Sequence, residues 1–350
     1  MIKIFSQIWP SLVTAFCVSA FFSILLAQVV DIIGKAAPTR TGGKMPLTGG
    51  VGIFLGFFVG LIVFGIRYDF FELDGILLLM GVIFLFGASF PYFLLGILDD
   101  IFHFRPIPKL IGFAIVAAVQ IIALFYLFSG PIVWPFFLCL FIIGVLFFFS
   151  NSYNFLDNAD GHCASAVLGL AFALFFMSKE PCLWGYAGLV LASAVLGFLV
   201  WNFPIKPVLF LGDAGSLFLG SCAPALALSA IFDITKDSCD FSVGMCSVAT
   251  LLAFPLYDTC AVMFLGIWRG QNPTIGGQDH YSHRLMRGGF PLWAVNLWTF
   301  IASGVFPAVI LRLPERYYPM GPFAIIFALF CVDYFAYFSA DRPLKTDSAD

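Results

Sequence analysis

The sequence predicts an all-α, polytopic membrane bundle of about ten to eleven transmembrane helices, forming a single domain over residues 1–350. Hydrophobic residues make up 61% of the chain and charged residues 11%, and phenylalanine alone supplies 45 of the 350 positions. No soluble globular domain needs that much apolar surface. Apolar runs of roughly 17–25 residues recur, the length that crosses about 30 Å of hydrocarbon. They lack the alternation of a transmembrane β-barrel.

The first run, 11–33, is too long for the apolar core of a cleaved signal and has no small-residue cleavage site, so it reads as the first span. The others are 47–66, 76–97, 110–128, 131–150, 162–178, 184–201, 209–232, 244–267, 292–312 and 322–340. Lysine and arginine orient the bundle. Segments 34–46, 98–109, 151–161, 202–208, 268–291 and the C-terminal tail carry eleven of them against six on the opposite side, which makes the first set cytoplasmic. The longest polar segment, 268–291, is too short for a soluble domain, so any chemistry belongs to the bundle or its cytoplasmic face. The net charge of −3 is neutral evidence, and no basic stripe or RNA-binding motif appears, so nucleic acid is not an expected partner. The nine cysteines are scattered without a CxxC pair and read as small packing residues. Cys182 and Cys239, both in external loops, could pair.

The ionisable residues cluster on the cytoplasmic side. Asp99-Asp100 closes an apolar run, and two adjacent carboxylates near low dielectric need a cation or a lysine such as Lys109; a solvated helix end is the alternative. The stretch Asn151-Ser-Tyr-Asn154-Phe-Leu-Asp157-Asn-Ala-Asp160-Gly161 is rich in the oxygen donors that magnesium prefers, and equally suits a turn. Gly212-Asp213-Ala-Gly-Ser opens an apolar helix whose N-terminal amides would favour a phosphate while Asp213 holds a metal; a simple N-cap is the bland reading. His280-Tyr-Ser-His283-Arg284, followed by Arg287, makes a cationic patch suited to a diphosphate, whereas a zinc site lacks further ligands. Lys44-Met-Pro-Leu-Thr48-Gly-Gly offers a point charge for phosphate or a positive-inside anchor. Asp258 lies inside a span, about 15 Å along its helix from Trp268, and must face a polar cavity or a partner. Pro255 marks a kink or break in that span. Asp333, in the last span, has no partner visible in the sequence.

Taken in order, these motifs resemble the polyprenyl-phosphate N-acetylhexosamine-1-phosphate transferase superfamily, glycosyltransferase family 4. They are the Lys-x-Pro-x-x-Gly-Gly opening, Asp99-Asp100 with Lys109, the Asn-x-x-Asp-x-x-Asp-Gly stretch, Trp201-Asn202-Phe-Pro204 leading to Gly-Asp-Ala-Gly-Ser, Pro255-x-x-Asp258 and His280-x-x-His283-Arg284. The last of these looks like the WecA/TagO side, which takes UDP-GlcNAc, rather than the MraY type, which takes the muramyl-pentapeptide nucleotide. The Asp-Arg usual before the first histidine is Gly277-Gln278 here, which leaves the sugar open.

The resemblance implies a magnesium-dependent (or manganese-dependent) transfer of a sugar 1-phosphate from a UDP-N-acetylhexosamine to undecaprenyl phosphate, releasing UMP at the cytoplasmic face of the bacterial inner membrane. It implies Asp99, Asp100 and Asp213 as catalytic residues and Asp213 with Asn154 as metal ligands. Lys44, Thr48, Lys109, Asp157, Asp160, Asp258, His280, His283 and Arg284 would bind substrate. A homodimer is implied by the resemblance alone. The competing class is a secondary transporter with Asp258 as an ion site; the lack of an internal repeat and the crowding of acids on one face weigh against it.

Overall fold

The computed structural model describes residues 2–32, 37–38, 44–67, 73–127, 134–177, 183–203, 207–234, 240–268, 270 and 280–340. Its helices are α1 (Ile2–Ile32), α2 (Gly49–Arg67), α3 (Leu73–Phe102), α4 (Pro106–Leu127), α5 (Trp134–Leu156), α6 (His162–Phe176), α7 (Leu183–Asn202), α8 (Gly212–Ile234), α9 (Phe241–Leu251), α10 (Ala253–Trp268), α11 (Tyr281–Arg287), α12 (Leu292–Phe300), α13 (Phe306–Ile310) and α14 (Gly321–Ala340). A two-residue ladder pairs β1 (Ala37–Pro38) with β2 (Lys44–Met45).

Over the described residues each apolar run read from the sequence falls largely on one helix, except 244–267 and 292–312, which fall on successive helices. Among the described residues, seven are long and apolar enough to cross a membrane, or eight if the bent pair α9–α10 is one span. Pro106–Ile122 and His162–Phe176 are shorter apolar helices. The outer faces carry Ile66, Ile83, Phe323 and Phe327, all well exposed, as lipid-facing positions require. The chain is an integral membrane protein.

The helices outrun their apolar cores. The expected loop 98–109 shrinks to three residues, because α3 continues through Asp99 and Asp100 to Phe102 and turns at His103, whose φ is 50°. Pro106 then opens α4, so Lys109 lies in its first turn. Likewise α5 runs to Leu156 and carries Asn154 on its last turn. The break expected at Pro255 falls three residues earlier, at Leu252, where α9 and α10 meet at 66°. Proline removes its own N–H and its ring presses on the carbonyl four residues back, so the break precedes it.

Helix α8 is the axis. From Leu217 to Ala230 its apolar side chains are almost all fully buried, and its Gly, Ala, Ser and Cys residues admit neighbours closely. Lipid tails are as apolar as the helices, so close backbone packing rather than water exclusion holds such a bundle together. Phe218 of α8 packs edge-on against Phe54 of α2, which stacks on Phe93 of α3 at 4.0 Å.

Two glycines set the approach of α2 and α3 to the N-terminus of α8. A Cβ at Gly96 would collide with Asp213 O and Ala214 Cα, and one at Gly50 with Gly215. Gly87, on the same helix as Gly96, has nothing within 4 Å of the position a Cβ would take. Gly96→Ala is therefore expected to destabilise the protein by about 1–3 kcal/mol. Gly87→Ala is expected to be neutral or stabilising, by up to about 1 kcal/mol. Thermal unfolding of both variants in detergent checks the contrast; equal midpoints would remove the close-approach argument.

Candidate active site

The site forms where α3, α4 and α5 end or begin against the start of α8. The segment before α2 is stitched beside it: Phe210 N donates to Pro46 O at 2.9 Å, Gly49 N to Phe210 O at 3.1 Å and Gly50 N to Leu211 O at 2.9 Å. Gly212, with φ of 75°, makes the turn that starts α8.

Asp99 is buried at the end of α3. It accepts from Phe104 N at 2.8 Å and from Lys109 Nζ at 2.7 Å. Lys109 reaches on to Asp213 at 3.4 Å and to Asn154 Oδ1 at 3.4 Å. Asn154 Nδ2 donates to the Asp213 carboxylate and, at 2.8 Å, to Ser216 Oγ. Four expected site residues thus share one knot around Lys109.

Asp100 corrects one expectation. The N-terminal amides of α8, expected to face a phosphate, donate instead to this carboxylate, from Asp213 N at 2.8 Å and Ala214 N at 2.9 Å. A negative side chain here answers both the unpaired N–H groups and the positive end of the helix dipole. Asp100 therefore fastens α3 to α8 and fixes where Asp213 points.

Asp157 stands just beyond α5. Burial first, then the charges of Asp213, Asp100 and Asp160, pushes its carboxyl well above the usual carboxylate range. A cation would relieve that repulsion. Among the described residues no three acidic, histidine or cysteine side chains gather as a cage. Magnesium does not require one, since it keeps several waters and takes one or two carboxylates plus substrate phosphates. Asp213, whose side chain is 32% exposed, and Asp157 fit such an ion in donor chemistry. Asn154 directs its oxygen at Lys109, so it would have to release Lys109 to join them as a ligand.

The His-x-x-His segment forms α11, and its residues divide. His280, expected to bind substrate, is buried, with Nδ1 3.2 Å from Asp258 Oδ2. Tyr281 N donates to Asp258 Oδ1 at 2.6 Å. Asp258, fully buried, is thus the anchor of α11 rather than the floor of a cavity. Arg284 Nε donates to both oxygens of Asp333, at 2.7 and 2.9 Å, and Tyr257 donates to the same carboxylate at 2.9 Å. This supplies the partner of Asp333 that the sequence did not reveal. Arg287, rather than Arg284, lines the open cavity of about 540 Å³, together with Asn158, Ala159, Asp160, His283, Met286 and Leu292.

Lys44 is exposed on β2. Thr48, also expected at the substrate, is buried and donates to Ser23 O of α1 at 2.9 Å. Gly277-Gln278, Cys182 and Cys239 lie outside the described residues. Sequence reasoning gave no role to Asn158, whose Oδ1 accepts from Ser282 Oγ, named Asn202 only within a motif, and passed over Asn296. The signal for Asn296 was present: an amide inside an apolar span needs a partner.

Fold and site together define an integral membrane protein whose acidic and basic groups converge around the start of one central helix. Residues 82–232 match the sequence model of glycosyl transferase family 4. The chain is 29% identical over 326 residues to a Bacillus subtilis protein named "Probable undecaprenyl-phosphate N-acetylglucosaminyl 1-phosphate transferase", covering 86% of this chain and 85% of the relative. It is 27% identical to an undecaprenyl-phosphate alpha-N-acetylglucosaminyl 1-phosphate transferase of Thermotoga maritima, over 92% of this chain and 93% of that one. The protein of the same name from Salmonella typhi is 26% identical, over 93% and 89%. The family match covers the middle of the chain, and the likeness to these relatives runs over most of its length.

Proposed function

We propose that this enzyme transfers N-acetylglucosamine 1-phosphate from UDP-GlcNAc to undecaprenyl phosphate, releasing UMP, at the cytoplasmic face of a bacterial inner membrane. The observation that carries the reading is the knot of Asp99, Lys109, Asn154 and Asp213 at the start of α8. It sits on helices with lipid-facing outer sides, and the turn that follows Asn154 and α5 leads to a cavity lined by His283, Arg287, Asn158 and Asp160. A lipid-borne anion and a water-soluble one can both reach such a place. The names of the relatives give the same lipid acceptor and the same transferred group.

In the reaction, an oxygen of the lipid phosphate attacks the β-phosphorus of the nucleotide sugar. The bond from that phosphorus to the bridging oxygen breaks, and UMP leaves with the electron pair. A phosphate monoester has a second pKa of about 6, so the attacking group is already a dianion at neutral pH and needs no protein base. This frees Asp99 and Asp100 for positioning, Asp99 by holding Lys109 and Asp100 by holding the start of α8. Lys109 puts a fixed positive charge where two anions must meet, and phosphoryl transfer depends chiefly on such positioning and neutralisation. His283 and Arg287 face the sugar diphosphate, and Asp157 and Asp160 the nucleotide. Magnesium, replaceable by manganese, would be held by Asp213 with Asp157 and Asn154 and would neutralise charge on the diphosphate when bound.

Purified protein in nanodiscs with undecaprenyl phosphate, magnesium and UDP-GlcNAc is expected to release UMP, and chelation by EDTA is expected to stop it, reversibly on adding magnesium. The muramyl-pentapeptide nucleotide is expected to give none. Turnover with that nucleotide alone would move the protein to the MraY type. Solute uptake into vesicles without UMP would make it a transporter.

A further inference from the structure

The turn Asp157–Gly161 is held by side chains that the reaction above does not use. Asn202 accepts from Gly161 N at 2.9 Å and donates to Leu209 O at 3.1 Å. Asn296 of α12 donates to Asp160 O at 2.9 Å. His162, fully buried as the first residue of α6, places Nδ1 3.3 Å from Thr299 Oγ1, three residues beyond Asn296 on the same helix. Its ring meets Phe254 of α10 edge-on at 5.9 Å.

Apolar packing does not explain these groups. A leucine would fill the space against Phe254 without desolvating an imidazole, and polar side chains inside a membrane bundle are costly unless they do something. The His162 and Asn296 side chains also interact with each other, so His162 touches both Thr299 and Asn296 of α12. Immediately after Thr299 and Phe300 the helix widens into a π-helical turn, Ile301–Val305, packed against Gly169 of α6. Such turns gather at functional positions.

We infer that His162, Thr299 and Asn296 form a polar brace that positions the Asp157–Asp160 turn for the nucleotide sugar. They are positioning residues, and the inference rests on the function proposed above. His162→Leu is expected to raise KM for UDP-GlcNAc about tenfold, the effect of one lost buried hydrogen bond, and to leave KM for undecaprenyl phosphate unchanged. His162→Asn, which returns a polar atom to Thr299, is expected to recover most of the loss. His162→Leu combined with Thr299→Val is expected to be no worse than either alone, as for two members of one contact. A rise in both KM values together, or a fall in kcat alone, would overturn the brace. Hydrogen exchange at amides 158–162 of the substrate-free protein gives a reading independent of turnover. Faster exchange in His162→Leu, restored in His162→Asn, supports the brace, and unchanged exchange defeats it. A wild-type protein that releases no UMP would defeat the functional reading, and the exchange measurement would still decide the brace.

Discussion

Asp213→Asn is expected to lower UMP release by at least about a thousandfold, near 4 kcal/mol of transition-state stabilisation, in a protein that still folds. The substitution keeps the shape of the side chain, one oxygen to accept from Asn154, and the backbone N–H that Asp100 holds. It removes a charge from a place that has too many of one sign. Asp213 faces Lys109, but Asp99, Asp100 and Asp157 crowd it as well. Neutralising it should therefore leave the thermal midpoint in detergent within a few degrees of wild type, or raise it. What is lost is the one carboxylate of the knot that is partly open to solvent and so able to meet both an ion and a diphosphate. UMP release at saturating substrates, with the thermal midpoint measured on the same sample, decides it. Activity within tenfold of wild type would mean that Asp213 is only a cap on α8.

Each motif alone had an ordinary reading, as a solvated helix end, a turn or an N-cap, and it was the family resemblance carried by their order that grouped Asp99, Asp100, Lys109, Asn154 and Asp213. Their individual tasks depend on contacts between helices far apart in the chain, up to 114 positions for Asp100 with Ala214. Asp100 reads as a free acid until α8, 113 positions later in the chain, presents its amides to it. Arg284 reads as a phosphate ligand until α14 brings Asp333 against it, and Asp333 reads as a lone charge for the same reason. Periodicity and hydropathy carry no information about which faces of distant helices meet. Helix ends were misplaced for a local reason. Polar residues at the end of an apolar run do not stop a helix, so α3 and α5 continue through theirs. What stops α3 is the positive φ at His103 ahead of Pro106.

Lys109→Met is expected to inactivate the enzyme and to destabilise it, and the two effects can be separated. The lysine is 20% exposed and the carboxylate of Asp99 only 5%, so removing Nζ leaves a buried charge with one backbone amide for company. Breaking a buried pair in this way costs about 3–5 kcal/mol, and the residual solvent access of Lys109 places the expected loss near the lower end. Asp213 loses the same partner, and the repulsion among Asp213, Asp99 and Asp100 goes uncompensated. Adding Asp99→Asn to Lys109→Met removes the orphaned charge and keeps an acceptor for Phe104 N, so the double variant should recover most of the thermal stability. It should not recover turnover, which is expected to stay at least a hundredfold below wild type, because no fixed positive charge remains where the two phosphates meet. Recovery of both together would reduce Lys109 to a structural counter-ion. Recovery of neither would mean that the knot is held by something other than the charge pairing of Lys109 with Asp99.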